Sequence, residues 1–334
     1  RKSFMLIRSS YGLLFVFILA CGPAAAEKPL DSLAAYLAAC ESVNDFSGSV
    51  LVAKDGEIIH QAGYGMANLE HGVANTSSTK FRIGSITKQF TGMAILLLQE
   101  QDKLKTSDPV SKHFPNAPDH WDDVTIHHLL THTSGIPSFT SHEDYRKKMM
   151  LPQSVDEMIA RFRDEPLEFE PGEKFEYSNS GYYLLGAIIE QASGKTYEDF
   201  VESEIFEPLE LEDSGYDRFA KVLPNRASGY EKRRDGSVLA PYLDMSQPFA
   251  AGSLYSTVED LYRWDRALRR RELLSEEGYK AYYKPEKRNY AYGWNVSTPK
   301  GRRTISHGGG INGFLSFILR VPDEELCVVA VSYT

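Results

Sequence analysis

Strand-type segments lie at both ends of this chain with helical segments between them, and no other feature of the sequence limits the fold as strongly. Near the start, Gly48-Ser49-Val50-Leu51-Val52-Ala53 and Ile58-Ile59-His60-Gln61-Ala62 flank Asp55-Gly56, so Phe46 to Tyr64 reads as a hairpin. Near the end, Tyr292 to Val296, Arg303 to Ser306, Phe314 to Arg320 and Leu326 to Tyr333 are short strand-like runs separated by turns. These pieces are expected to meet in one mixed, mainly antiparallel sheet flanked by helices, an α/β (α+β) fold with the middle of the chain inserted as a helical subdomain. The sheet-containing part is placed at 27–84 and 246–334, and the helical part at 85–245. With 334 residues the chain can bury a substantial core in one large domain or two interleaved ones. It contains no internal repeat and no low-complexity segment.

Helical spacing of apolar residues recurs in Leu30 to Cys40, in the run after Ser85, in Val124 to Thr131, and in Tyr183, Leu184, Ala187, Ile188 and Ala192 before Gly194. Ser141 to Arg163 reads as polar helix, and Tyr197 to Phe206 as a further helix. Ser256-Thr257-Val258-Glu259 has the form of a capping box opening a helix with Leu261, Trp264 and Leu268.

Residues 1–26 have the form of an export leader: Arg1, Lys2 and Arg8 flank an uncharged run from Tyr11 to Ala20 that is short for a membrane span. Ala24-Ala25-Ala26 is a small-residue cleavage site, whereas Ile18-Leu19-Ala20-Cys21 resembles a bacterial lipoprotein box that would put lipid on Cys21. The cysteine placed directly after an apolar run favours the second outcome. A periplasmic or cell-envelope location follows from either. Cys40 and Cys327 remain, and they are expected as buried small hydrophobes rather than a bridge. The chain starts with Arg and stops at Thr334 inside a strand-like run, so it reads as part of a longer product. A net charge of −9 with no basic run argues against a nucleic-acid partner.

The chemistry centres on Ser85-Ile86-Thr87-Lys88. A helix opening near Ser85 would set Ser85 and Lys88 about one turn apart on one face, beside each other. A serine is a poor nucleophile until a base takes its proton, and a lysine can do so if its own proton is driven off. Ser77 to Lys80 and Ser297 to Lys300 share the S-x-x-K spacing, but the first lies in a polar loop and the second contains Pro299. Only Ser85 is followed by an apolar helical run, through Phe90, Met93 and Leu97. Two further elements fit such a site. Tyr177-Ser178-Asn179 precedes a helix, where a phenol and an amide can relay a proton and hold a substrate, or where Tyr177 simply packs and Asn179 or Ser180 caps. Ser306-His307-Gly308-Gly309-Gly310-Ile311-Asn312-Gly313 is a strand end with little side chain, open to a ligand or to a tight turn. His128 and His132 have the spacing of metal ligands on a helix, but the glutamate of H-E-x-x-H and a third ligand are absent, so no metal site is expected.

These three elements in this order resemble the serine β-lactamase and penicillin-binding superfamily, in the branch holding class C β-lactamases, DD-carboxypeptidases, D-aminopeptidases and esterases. Leu130-Thr131-His132-Thr133-Ser134-Gly135-Ile136-Pro137, Pro171-Gly172 and Ala251 to Leu261 are similar to the same branch. The resemblance implies that Ser85 is acylated, that Lys88 and Tyr177 share base and acid work, and that Asn179, His307, Gly308 and Gly309 bind substrate. The N–H groups of Ser85 and Gly310 would form the oxyanion hole. No metal or organic cofactor is implied. His307 stands where many members carry the lysine of Lys-Thr-Gly, and Gly308 removes a hydroxyl, so a substrate carboxylate is held less firmly. The expectation is therefore an exported serine hydrolase acting on D-amino-acid or peptidoglycan-type peptides or esters. A true β-lactamase and a non-catalytic binding or sensor protein are the alternatives.

Overall fold

The computed structural model describes residues 27–43 and 46–333; the expected leader and Cys21 lie outside them. The chain divides into two units, the first ending at Phe46 and the second running from Ser47 to Thr334. In the first unit, helix α1 spans Glu27–Ser42, opening earlier than the apolar spacing suggested. Cys40 is only partly buried, so just one of the two cysteines, Cys327, is the expected buried hydrophobe; both are free thiols.

The second unit is built on strands β1 (Gly48–Lys54) and β2 (Glu57–Tyr64), then helices α2 (Thr87–Glu100), α3 (Ile126–Leu130), α4 (Asn179–Ser193), α5 (Val258–Arg270) and α6 (Glu276–Tyr282). Strands β3 (Asn295–Ser297), β4 (Thr304–Ile311), β5 (Phe314–Val321) and β6 (Leu326–Ser332) complete it. They form a six-stranded sheet in the order β3-β4-β5-β6-β1-β2. Every pairing is antiparallel. The sheet joins the two ends of the chain, since β1 lies beside β6 with Val50 opposite Ala330. Tight turns join two of the other neighbouring pairs, β1 to β2 and β4 to β5: Asp55-Gly56 and Asn312-Gly313 each place a residue at positive φ between paired strands.

α2 is buried along its whole first ten residues, Thr87 to Leu96, because other elements surround it. It packs against α4 on one side and α6 on another. Trp264 Nε1 on α5 donates to Gln89 Oε1 of α2 at 3.0 Å. Arg320 of β5 and Asp265 of α5 form a buried ion pair that ties sheet to helix. The cap of α5 differs from the sequence expectation by one residue. Thr257, not Ser256, is the N-cap and accepts from Asp260 N–H at 3.1 Å. The Ser256 hydroxyl is instead engaged by Ser214 Oγ at 2.8 Å, and the Asp260 carboxylate by Asp213 N–H and Ser214 Oγ, so no reciprocal box closes.

β4 also extends further than expected. Pairing with β5 continues through His307, Gly308, Gly309 and Gly310 to Ile311, so these residues lie inside a strand rather than beyond its end. β5 pairs one edge of this run, while β3 ends opposite Ser306 and leaves the other edge unpaired within the sheet, and the glycines let another chain segment approach closely.

Candidate active site

The chain leading to Ser85 is held from both sides. Ile83 N–H donates to Leu254 O at 3.0 Å, and Ile83 O accepts from Ser316 Oγ of β5 at 2.7 Å. A 3-10 turn over Gly84–Ile86 then feeds α2. Gly84 has φ +49°, and a Cβ there would stand 3.0 Å from Gly310 N, so the Ser85 turn backs directly onto the Gly310 backbone. Gly309 is just as constrained, since a Cβ on it would come within 2.0 Å of Ile83 O.

Lys88 is fully buried. Its Nζ lies 3.2 Å from Ser85 Oγ, 2.9 Å from Asn179 Oδ1 and 2.8 Å from Ala251 O. Burial drives its pKa well below the ordinary lysine value. A neutral amine has two N–H donors and one lone pair. The amide and backbone oxygens can only accept, so in its neutral form the amine would turn that lone pair to the Ser85 hydroxyl.

Asn179 opens α4, with Ser178 as N-cap accepting from Gly181 N–H at 3.4 Å. Its backbone N–H donates to Ser138 Oγ at 3.1 Å and its side-chain Nδ2 to Thr140 Oγ1 at 3.2 Å, which fixes Oδ1 toward Lys88. The Tyr177 hydroxyl lies near Ser85, and its ring centroid is 4.9 Å from Lys88 Nζ. Burial raises the Tyr177 pKa above the ordinary phenol value, with the Ser85 contact opposing, so it is a neutral phenol at neutral pH.

Two residues that support this cluster were not assigned to it from the sequence. In the sequence His132 stands out for its metal-ligand spacing and within the Leu130–Pro137 segment, with no role assigned to it beside Ser85. The helical spacing that suggested a metal ligand is not realised, because α3 ends at Leu130 and His132 turns left-handed with φ +56°. His132 O accepts from Glu176 N–H at 2.9 Å and its Nδ1 from Ser178 N–H at 3.1 Å, while its ring stacks on Tyr177 with centroids 4.1 Å apart. The loop carrying Tyr177 is therefore pinned on both sides of the tyrosine. Burial, then the nearby Lys88 and His307, holds the His132 pKa well below its ordinary value. With Nδ1 accepting, the proton sits on Nε2, which is buried and has no partner among the described residues. Tyr290 is the second, and its hydroxyl lies 2.8 Å from His307 Nε2.

His307 is buried with both ring nitrogens engaged. Nδ1 faces Gly308 O at 2.6 Å, and since a carbonyl only accepts, Nδ1 carries the proton and Nε2 accepts from Tyr290. Burial, reinforced by the positive potential of Lys88, lowers its pKa to about 4. Its ring lies 6.5 Å from that of Tyr177, centroid to centroid. The Gly308 carbonyl is thus taken up by the histidine, whereas Gly310 is exposed on the strand. Lys88 hydrogen-bonds both Ser85 and Asn179, Tyr177 stands beside Ser85 and Lys88, and His307 with the glycine strand forms the adjacent wall.

A family model for "Beta-lactamase" matches residues 41–334. The chain belongs to the beta-lactamase family. This β-lactamase-family chain is 33% identical over 270 residues to the "Putative penicillin-binding protein PbpX" of Bacillus subtilis, covering 80% of itself and 66% of that protein. Among solved structures, a penicillin-binding protein from Bacillus halodurans superposes with a TM-score of 0.81 at 30% identity, covering 89% of this chain and 95% of that one. A D-stereospecific amidohydrolase from Streptomyces superposes with a TM-score of 0.75 at 26% identity, over 90% of this chain and 94% of that one. The β-lactamase-family fold, with its sheet drawn from both chain ends, is accordingly the one expected from the sequence, and the chain is a serine hydrolase of that family related to penicillin-binding proteins.

Proposed function

We propose that this protein hydrolyses amide or ester bonds of D-amino-acid or peptidoglycan-type substrates through an acyl-enzyme on Ser85. The observation that carries the reading is the fully buried Lys88 Nζ, its pKa driven well down, at 3.2 Å from Ser85 Oγ. In the proposed step Ser85 Oγ bonds to the substrate carbonyl carbon as its proton passes to Lys88 Nζ. The resulting oxyanion is held by the N–H groups of Ser85 and Gly310, which the Gly84–Gly310 contact keeps adjacent. The leaving amine or alkoxide takes a proton by way of the neutral Tyr177 phenol, which recovers it from Lys88, and the carbonyl–heteroatom bond breaks. Water then repeats the sequence on the acyl-enzyme and frees Ser85.

The wall opposite this machinery supports the substrate choice. A neutral His307 with both nitrogens engaged offers no fixed cation to a substrate carboxylate. Recognition of penicillins through that carboxylate is weakened, and esters or D-configured amides are favoured. The amide selectivity named for the Streptomyces relative agrees with this. The protein is further proposed to act in the cell envelope, released after Ala26 or tethered through lipid on Cys21.

Intact-mass spectrometry after exposure to a fluorescent penicillin, an activated ester and a D-alanyl amide tests the proposal. The expected result is an adduct on Ser85, faster turnover of the ester or amide than of the penicillin, and loss of all three reactions in Ser85→Ala. Hydrolysis that survives Ser85→Ala would remove the nucleophile assignment. Absence of any adduct or turnover would favour a binding protein that keeps the fold.

A further inference from the structure

A second concave site lies away from Ser85, between the end of α5, helix α6 and the adjoining ends of β4 and β5. It is a cavity of about 490 Å³. Six cationic residues line it, Arg269, Arg271, Lys280, Lys284, Arg303 and Arg320, against a single carboxylate, Glu276. Four of the six are neutralised: Arg269 by Glu325, Arg271 by Glu276, Lys280 by Glu277 and Arg320 by Asp265. Lys284 and Arg303 have no carboxylate partner among the described residues, and both are exposed. Two uncompensated positive charges therefore face one cavity on a protein whose net charge is −9. The carbonyl ends of α5 and α6 attract cations, which accounts for Arg269, Arg271 and Lys284. It does not account for Arg303, which enters from the strand side.

We infer that this cavity binds a small organic phosphate. A phosphoryl dianion matches the two free charges, and a guanidinium presents parallel donors to phosphate oxygens. The volume is that of a small-molecule site, and Tyr279 and Ile305 supply an apolar wall for the organic part. Concave walls concentrate the field of the cations and favour the charged ligand over its neutral analogue. Arg303 precedes Gly310 by seven residues, which at about 3.3 Å per strand residue sets the two sites roughly 23 Å apart. Occupancy of one does not obstruct the other.

Isothermal titration of the purified chain with phenyl phosphate, inorganic phosphate and phenol tests this. Phenyl phosphate is expected to bind saturably at one site, more tightly than inorganic phosphate, with phenol giving no saturation. The double variant Lys284→Ala/Arg303→Ala, altered only at exposed side chains, should weaken phenyl phosphate about tenfold or more and leave the rate of Ser85 acylation unchanged. The inference is overturned if phenyl phosphate does not saturate, if the double variant binds it as the parent does, or if acylation of Ser85 abolishes the binding.

Discussion

Replacing Lys88 by methionine keeps the length and apolar stem of the side chain and removes only the amine. Positioned general bases contribute about 10²–10⁴-fold, so Ser85 acylation should slow by that factor, equivalent to roughly 3–5 kcal/mol of barrier. Stability responds separately. The substitution strands Asn179 Oδ1 and Ala251 O, which accept from Lys88 at 2.9 and 2.8 Å. Unpaired buried acceptors cost about 1–3 kcal/mol each, and part of this is offset because a buried amine no longer has to be kept dry. The pH behaviour identifies the group. Below the ordinary lysine pKa the unfolded chain holds this proton and the folded chain resists it, so wild-type stability rises with pH up to that value. Acylation rises as pH passes through the lowered folded pKa, giving an acid limb that Lys88→Met should lack. Stopped-flow acylation by an activated ester across the pH range, paired with urea unfolding, measures both. A loss below about tenfold, or an acid limb unchanged in the variant, would refute the assignment and move the base role to Tyr177.

Gly309→Ala places a methyl group 2.0 Å from Ile83 O and 2.3 Å from Ser316 Oγ, so β4 must move away from the Ser85 turn. Overpacking of this kind costs about 1–3 kcal/mol; thermal melting should register it, and acylation should fall further than melting alone explains. Parental melting and rate would show that the strand has room. For His307, whose folded pKa is about 4, the unfolded state takes up a proton first as pH falls through 6.5, and stability is lost until the folded ring also protonates. The shift corresponds to about 3 kcal/mol between neutral and acid pH. Urea titrations should show that much less pH dependence in His307→Gln, and equal slopes in the two proteins would contradict a buried neutral ring.

Much of this was legible in local sequence. Asp55-Gly56 and Asn312-Gly313 announce turns because few other residue pairs adopt positive φ cheaply, and Gly194, with φ +72°, ends α4 for the same reason. The apolar spacing after Ser85 marked a buried helix, and with it the one S-x-x-K in which serine and lysine could meet. These are properties of neighbours within a few residues, where period and backbone sterics act directly. Tertiary structure decided what depends on distant chain. Lys88 loses proton affinity because Asn179 and Ala251, far along the sequence, close around it and exclude water. His132 reaches Tyr177 only because the backbone turns left-handed after α3, and its tautomer is set by the Ser178 N–H from a separate segment, as Tyr290 reaches His307 Nε2 from another. Ser256 lost the expected cap to Thr257 because Ser214 had already engaged its hydroxyl. Spacing along a chain determines which side chains share a turn, but proton affinity and tautomer follow from solvent exclusion and hydrogen-bond partners, and those exist only once remote segments have packed.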